Sequence, residues 1–482
     1  MSDVKGTQPI NLDWSSDQLS QALHAASKWT IGYRDGIAEL PVLPQVQPGD
    51  IRSQLAKSPP SEGEPFEKVL ADFDKYIVPG LTHWNHPGFL AYFSSCTRGP
   101  SVAAELLIAA VGVNAMLWRT SPAATEVELL AVDWLRQAVN LPETYSGLIF
   151  DTASTSTFTA LLAAREHVGS NIRENGLTDG PRLMLYTSEQ SHSSVEKAAI
   201  AAGLGRKSIR KIEVDERFRM RTDALERAIT EDRQKGALPA MVCATVGTTS
   251  TGSVDPVNEI GKVAREHGAW LHVDAAYAGS GAILPELASN FAGWERADSI
   301  VINPHKWLGT SLDCSVLLYR DSTPFRASLA LTPAYLESEQ PNSNLMDIGV
   351  PLGRRFRGLK LWVLFRCVGT VGLAESMRNH IEIAEAAAAR LDANPRFNLA
   401  APVSFSTVCF RAVGLGDMEA EDNWNRDILS RVNAEGRVFL SHTELEGRYT
   451  LRLSVGSVHT ELKHVTEALD ALERAADDLI PG

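Results

Sequence analysis

The sequence predicts an α/β protein with a large, mostly parallel sheet, and two observations predict it. From about residue 66 onward, short apolar segments alternate with longer helical ones, the pattern of a sheet covered on both faces by helices. Near residue 380 the pattern changes, and a smaller α/β unit is expected from roughly residue 390 to the end.

Element by element, residues 13–34 have helical character, with Leu19, Leu23 and Trp29 to Ile31 as the larger apolar residues. Residues 41–65 are rich in Pro, Ser and charge and read as an extended connector. Strands are expected at 182–188, 240–247, 269–276 and 299–304. Between them "HSSVEKAAIAAG", "VDPVNEIGKVAREHG" and "ELASNFAGWER" are expected to be helical. Upstream, "GLIF" is an apolar segment that runs through Asp151 into the helix of "STSTFTALLAAR". In the C-terminal unit, "FSTVCFRAV" and "YTLRLSV" read as strands, with "DNWNRDILSRVNAEG" and "TELKHVTEALDALERAADDL" as helices.

Composition narrows the function. A chain of 482 residues holds one large core and at least one smaller domain. A net charge of −13 argues against a nucleic-acid partner, whose phosphates require concentrated Lys and Arg. Cys96, Cys243, Cys314, Cys367 and Cys409 are scattered, with no C-x-x-C pair, so neither a metal site nor a disulfide framework is expected. No run approaches 18 apolar residues and the first 30 residues lack a signal-peptide pattern, so the expectation is a cytoplasmic protein with no membrane span. The nucleotide loops G-x-x-x-x-G-K-[ST] and G-x-G-x-x-G are missing.

In an open parallel sheet, ligands bind beyond the carboxyl ends of the strands. Asp274 follows one apolar strand and is trailed by the small Ala275 and Ala276. His305 and Lys306 follow the next, in "NPHKW". Thr248, Thr249 and Ser250 follow a third, His192 a fourth, and Asp151, Thr152 and Ser154 a fifth. Each feature alone is ordinary, because Asp, Ser and Thr cap helices and most lysines are solvated. Together they describe a site for pyridoxal 5′-phosphate. Lys306 is the amine for its aldehyde. Asp274 faces the pyridine nitrogen, whose protonation makes the ring an electron sink. Thr152, Ala153 and Ser154 offer hydroxyls and N–H groups at a helix start for the phosphate. His192 and Ala276 are the candidates for the two faces of the ring.

The segments "HWNHPGFLAYF", "SPAATEVELLAVDWL", "SEQSHSSVEKA", "WLHVDAAYAGS", "NPHKWL" and "PLGRRFRGLKLW" resemble the aromatic-L-amino-acid decarboxylases, which are group II pyridoxal-phosphate decarboxylases of fold type I. The resemblance extends from about residue 10 to 470. It implies an N-terminal helical segment exchanged between subunits (residues 1–85), a large cofactor-binding domain (86–385) and a small C-terminal domain (386–482). It also implies a homodimer with active sites at the subunit interface. By the same resemblance Lys306 carries the cofactor, Asp274 pairs with its ring nitrogen and His192 stacks on it. Thr152, Ala153, Ser154, Asn303 and His305 form the phosphate cradle, and Thr249 is a further cofactor contact. Asp151 departs from the glycine common in relatives and brings a negative charge toward that cradle. Tyr335, in the polar loop "LTPAYLESEQPNSN", matches the tyrosine credited with protonating the product, whereas relatives that make aldehydes commonly carry phenylalanine there.

For the substrate, Trp84, Tyr92 and Phe93 match an aromatic side-chain pocket. Asn114 and Met116 match positions reaching across from a partner subunit, and Asn114 is expected to be a buried amide seeking a polar group. Gly358 falls where plant relatives with glycine favour indolic substrates. The expected reaction is decarboxylation of an aromatic L-amino acid, with tryptophan slightly ahead of tyrosine and dihydroxyphenylalanine. The competing readings are a decarboxylase of a non-aromatic amino acid, an aldehyde synthase, and a silent scaffold. Trp307 is expected to pack behind the site.

Overall fold

The computed structural model describes residues 13–169, 172–178, 180–331 and 344–480. Seven strands form the large sheet: β1 (Ser146–Phe150), β2 (Leu183–Ser188), β3 (Ile209–Ile212), β4 (Leu238–Thr245), β5 (Trp270–Asp274), β6 (Ser299–Ile302) and β7 (Ser315–Tyr319). Their order is β1-β7-β6-β5-β4-β2-β3, and every pairing is parallel except those of β7, which runs antiparallel to both neighbours. Strands buried on both faces need apolar residues in both registers, which is why these segments read as continuous apolar runs. One face, through Tyr186, Val242, Val273 and Ile300, packs on the helices Pro122–Ala138, Thr222–Gln234, Val257–Glu266 and the first part of Gly358–Ala393. The other, through Leu148, Leu185, Met241 and Leu317, packs on Ala153–His167, Ser193–Ala201 and Thr323–Leu329.

The second sheet comprises β8 (Phe397–Leu399), β9 (Thr407–Ala412), β10 (Ser441–Leu445) and β11 (Arg448–Ser454). It is antiparallel throughout, in the order β10-β11-β9-β8. The helices Met418–Ala434 and Leu462–Asp478, with the end of Gly358–Ala393, bury Phe410, Trp424, Leu451 and Leu472 against it. The long helix turns at Gly369, whose φ of +70° breaks the helical backbone between the two units.

The N-terminal helix is Ser16–Gly36, started by a reciprocal capping box in which Ser15 Oγ accepts from Gln18 N (3.2 Å) and Gln18 Oε1 accepts from Ser15 N (2.9 Å). Leu19, Leu23 and Ile31 on this helix are exposed in the single chain. Among the described residues no helix is long and apolar enough to cross a membrane.

Four strands were not expected. β3 and β8 are short edge strands, and β10 is polar on its open side. β7 reverses direction after the 303–314 connection with no helix between it and β6, so alternation with helices gives no hint of it. The "ELASNFAGWER" segment is two short 3₁₀ pieces, Pro285–Phe291 and Trp294–Arg296, rather than a helix. Gly293 separates them with φ +92° and packs so closely that a Cβ there would lie 2.4 Å from Asn258 Cα.

Candidate active site

The carboxyl ends of β1, β2, β4, β5 and β6 converge on a cavity of 240 Å³. Thr152, Ala153, Ser154, His192, Thr249, Asp274, Ala276, Asn303, His305 and Lys306 all line it, together with Phe93. Strand geometry accounts for the convergence, since neighbouring parallel strands end side by side and deliver their next residues to one edge.

Thr152 is the N-cap of Ala153–His167, yet its side chain makes no capping bond. The positive end of that helix therefore opens onto the cavity. Asp151 is not among the lining residues. Its charge acts on Arg357, whose guanidinium pairs with Asp313 (2.8 Å), so the departure from glycine lies within a basic neighbourhood.

His192 caps Ser193–Ala201. Its Nδ1 accepts from Ser194 N (3.2 Å) and lies 2.7 Å from Ser194 Oγ, which leaves the ring proton on Nε2. Burial lowers its proton affinity, Asp274 acts against that, and Lys306 adds to it. His305 is fixed the same way, with Nδ1 accepting from Cys314 N (2.9 Å), and burial pushes its imidazole down to about 3. Both rings are thus neutral donors through Nε2.

Asp274 is buried at the end of β5 and accepts from Ala276 N (3.1 Å). It forms no salt bridge within 4.0 Å among the described residues, and it lines the cavity. Lys306 stands in the turn after β6, held by its own N–H to Asn303 O (2.9 Å). Burial lowers the proton affinity of its amine, Asp274 raises it, and Arg452 lowers it further. Two buried polar atoms on the cavity lining, Asn303 Oδ1 and Thr245 Oγ1, lack a partner among the described residues. Such groups are costly unless something else bonds them.

Phe93 stacks on Tyr277 (3.6 Å between centroids, 11° between planes), and Tyr277 in turn on Trp307 (5.1 Å). Trp307 Nε1 donates to His380 Nδ1 (3.1 Å), so it packs behind the site as expected.

Of the substrate residues Phe93 lines the cavity, and the others lie outside its lining in the single chain. Trp84 and Tyr92 stack on each other (6.0 Å) at the surface, outside the cavity lining. Asn114 is exposed rather than buried, and its amide is already engaged: Oδ1 accepts from Arg354 N (2.9 Å) and Nδ2 lies 3.7 Å from Met116 Sδ. Gly358 serves packing, because a Cβ there would lie 2.6 Å from Glu128 Cα. It faces the helix Pro122–Ala138 and not the cavity. Tyr335 lies outside the described residues.

Thr245, Gly247, Ser194 and Tyr277 also line the cavity, unforeseen from sequence. Gly247 carried a readable signal in "TVGTT": with φ +85°, and a would-be Cβ 2.5 Å from Ala278 Cβ, only glycine fits there. Of the expected hydroxyl cluster, Thr249 reaches the cavity. Thr248 is turned inward, 3.1 Å from Thr251 Oγ1 and 2.9 Å from Ser253 Oγ.

The pyridoxal-dependent decarboxylase conserved domain matches residues 48–413. The chain belongs to this decarboxylase family. It is 38% identical to phenylacetaldehyde synthase of Arabidopsis thaliana over 98% of this chain and 99% of that protein. It is 37% identical to tryptophan decarboxylase 1 of Oryza sativa subsp. japonica, over 98% and 96%. Its fold superposes on Oryza sativa TDC, solved with PLP and tryptamine, with a TM-score of 0.94 and 36% identity, over 99% of this chain and all of that one. The protein is a pyridoxal-phosphate-dependent amino-acid decarboxylase of fold type I. The cavity suits the cofactor of this decarboxylase family: an amine, a buried carboxylate and polar atoms that have no ion-pair or hydrogen-bond partner of their own among the described residues converge there with an open helix N-terminus.

Proposed function

We propose that this decarboxylase acts on an aromatic L-amino acid, with tryptophan ahead of tyrosine and dihydroxyphenylalanine, releasing carbon dioxide and the amine. The carrying observation is the convergence of Lys306, Asp274 and His192 on one cavity that also has Phe93 in its wall. The aromatic preference is supported by that ring and by the tryptophan decarboxylase among the relatives.

Bound pyridoxal phosphate supplies an aldehyde for amines and a protonated ring that accepts the electrons of the broken Cα–carboxylate bond. The chain does the rest. Lys306, whose buried amine holds its proton less firmly than a free lysine, would be the residue that bonds the cofactor's aldehyde. Asp274, with no salt-bridge partner among the described residues, would face the ring nitrogen and favour its protonation. His192, oriented by Ser194, covers one ring face, with Ala276 small enough for the other. Thr152, Ala153, Ser154, Asn303 and His305 hold the phosphate, and Thr249 is a further contact. Tyr335 delivers the proton to Cα.

A homodimer with residues 1–85 exchanged completes this reading. It is supported by the exposed Leu19, Leu23 and Ile31 of the N-terminal helix and by the exposed Val350 and Leu352 near Asn114. Asn114 and Met116 then contribute to the partner's site.

An aldehyde synthase is the second reading, favoured by the likeness to phenylacetaldehyde synthase. A panel of L-amino acids assayed for carbon dioxide, amine, aldehyde and ammonia decides between them. We expect amine from aromatic substrates only, and an increase in aldehyde and ammonia when Tyr335→Phe is made. Aldehyde from the wild-type protein, or turnover of glutamate or histidine instead, would sink the proposal.

A further inference from the structure

Arg452, on β11 of the small sheet, is 3% exposed. It forms no salt bridge within 4.0 Å among the described residues. An uncompensated buried cation is expensive, and such groups concentrate where a site uses the charge. Its guanidinium reaches two segments of the large unit. Nε donates to Ser250 O (2.9 Å) and Nη1 to Tyr92 O (2.6 Å), while Nη2 is buried without a partner among the described residues. Its Cζ lies 4.6 Å from the Phe93 ring centroid, and Lys306 Nζ lies 5.6 Å from the same ring.

The two carbonyls belong to the immediate neighbours of cavity residues, Ser250 after Thr249 and Tyr92 before Phe93. Both neighbours are tied to the small sheet a second time. Thr443 Oγ1 donates to Ser250 Oγ (2.8 Å), and Ser441 Oγ accepts from Tyr92 N (3.3 Å). Tyr92 also holds a left-handed backbone, φ +50°, which a bulky residue keeps only when its surroundings impose it.

We propose that Arg452 is a positioning residue for the lysine cavity: from the small sheet it holds the Thr249 loop and the Phe93 segment against Lys306. The proposal rests on the assignment of Lys306 made above. A consequence follows for the amine. Two charged groups act on Lys306: Asp274 favours its proton and Arg452 opposes it, while His192 and His305 beside it are neutral rings whose own proton affinity Lys306 lowers. Arg452 thus places walls and biases charge through one side chain.

The test uses Arg452→Gln, which removes the charge, and Arg452→Lys, which keeps the charge but not the fork. In cofactor-free protein, the pH dependence of Lys306 labelling by an amine reagent is read on its peptide by mass spectrometry. In the holoenzyme, the release rate of pyridoxal phosphate is followed. Loss of one charge-assisted hydrogen bond makes release roughly tenfold faster in both variants. The labelling midpoint rises by about half a pH unit in Arg452→Gln and stays in place in Arg452→Lys. Release at the wild-type rate in both, or an unmoved midpoint in Arg452→Gln, overturns the proposal. Should Arg452→Gln not fold, Arg452→Lys decides: faster release with the wild-type midpoint supports it, and wild-type release refutes it. Lys306→Ala separates the parent assignment, which fails if that variant keeps the wild-type cofactor absorbance.

Discussion

Two lysines lie inside the large unit, and the chain surrounds them differently. Lys360 is fully buried, its Nζ 2.9 Å from Glu105 Oε1, 2.6 Å from Asp313 O and 3.3 Å from Ser311 O. Lys306 opens onto the cavity with no salt bridge or hydrogen bond to its Nζ among the described residues, and burial holds its proton loosely. An ammonium surrounded by oxygens is held in place by them and serves as structure. One denied them is closer to a free amine, the form that attacks an aldehyde. Position within the fold sharpens the contrast. Lys306 follows a strand at the ligand edge of the sheet, while Lys360 sits in the first turn of the long helix.

The largest expected effect comes from breaking the reactive member of the pair. Lys306→Ala should abolish covalent cofactor attachment and lower decarboxylation on the order of 10³-fold or more, with the melting temperature of the cofactor-free protein unchanged. Lys360→Met should do the reverse. It removes one of the two cations on Glu105 and leaves Arg355 as the other, so denaturant unfolding should show a loss of about 1 to 2 kcal/mol while the cofactor absorbance stays as in wild type. If Lys360→Met altered that absorbance, the division between the two lysines would fail.

The same rule extends to buried histidines, at smaller amplitude. Burial lowers His272 and His380 to about 4, well under the free imidazole value. The unfolded chain therefore takes up protons that the folded chain refuses, and stability is lost as pH falls from about 6.5 to about 4, by about 1 kcal/mol per pH unit for each ring. Asp255 acts in the opposite sense: burial raises its carboxyl to about 6, so its contribution is lost as pH rises through that value. Denaturation midpoints measured across this range check the net sign, and a stability that rose on acidification would contradict it.

The strand-end half of the site was legible in the sequence. Asp274, Lys306, His192 and Thr152 each follow an apolar run, and the strand order brings those ends together whatever the loops do. Thr245 and Tyr277 were hidden because a polar atom inside an apolar segment reads as core. Arg452 was hidden because it arrives from a different sheet, across a sequence separation no local pattern spans. The side-chain pocket was least legible. Trp84, Tyr92, Asn114 and Gly358 were assigned by likeness alone, and within one chain their contacts are with the surface, with Arg354 and with Glu128. Among the strands, β7 escaped because reversed direction leaves no trace in the hydrophobic pattern.

The most direct test of the account is to reduce the holoenzyme with borohydride, which fixes the cofactor to its lysine, and to map the modified peptide by mass spectrometry. The account predicts a single pyridoxyl group on Lys306 and none on Lys360. Modification of Lys360 or another lysine in place of Lys306, or a cofactor that borohydride leaves free, would contradict it.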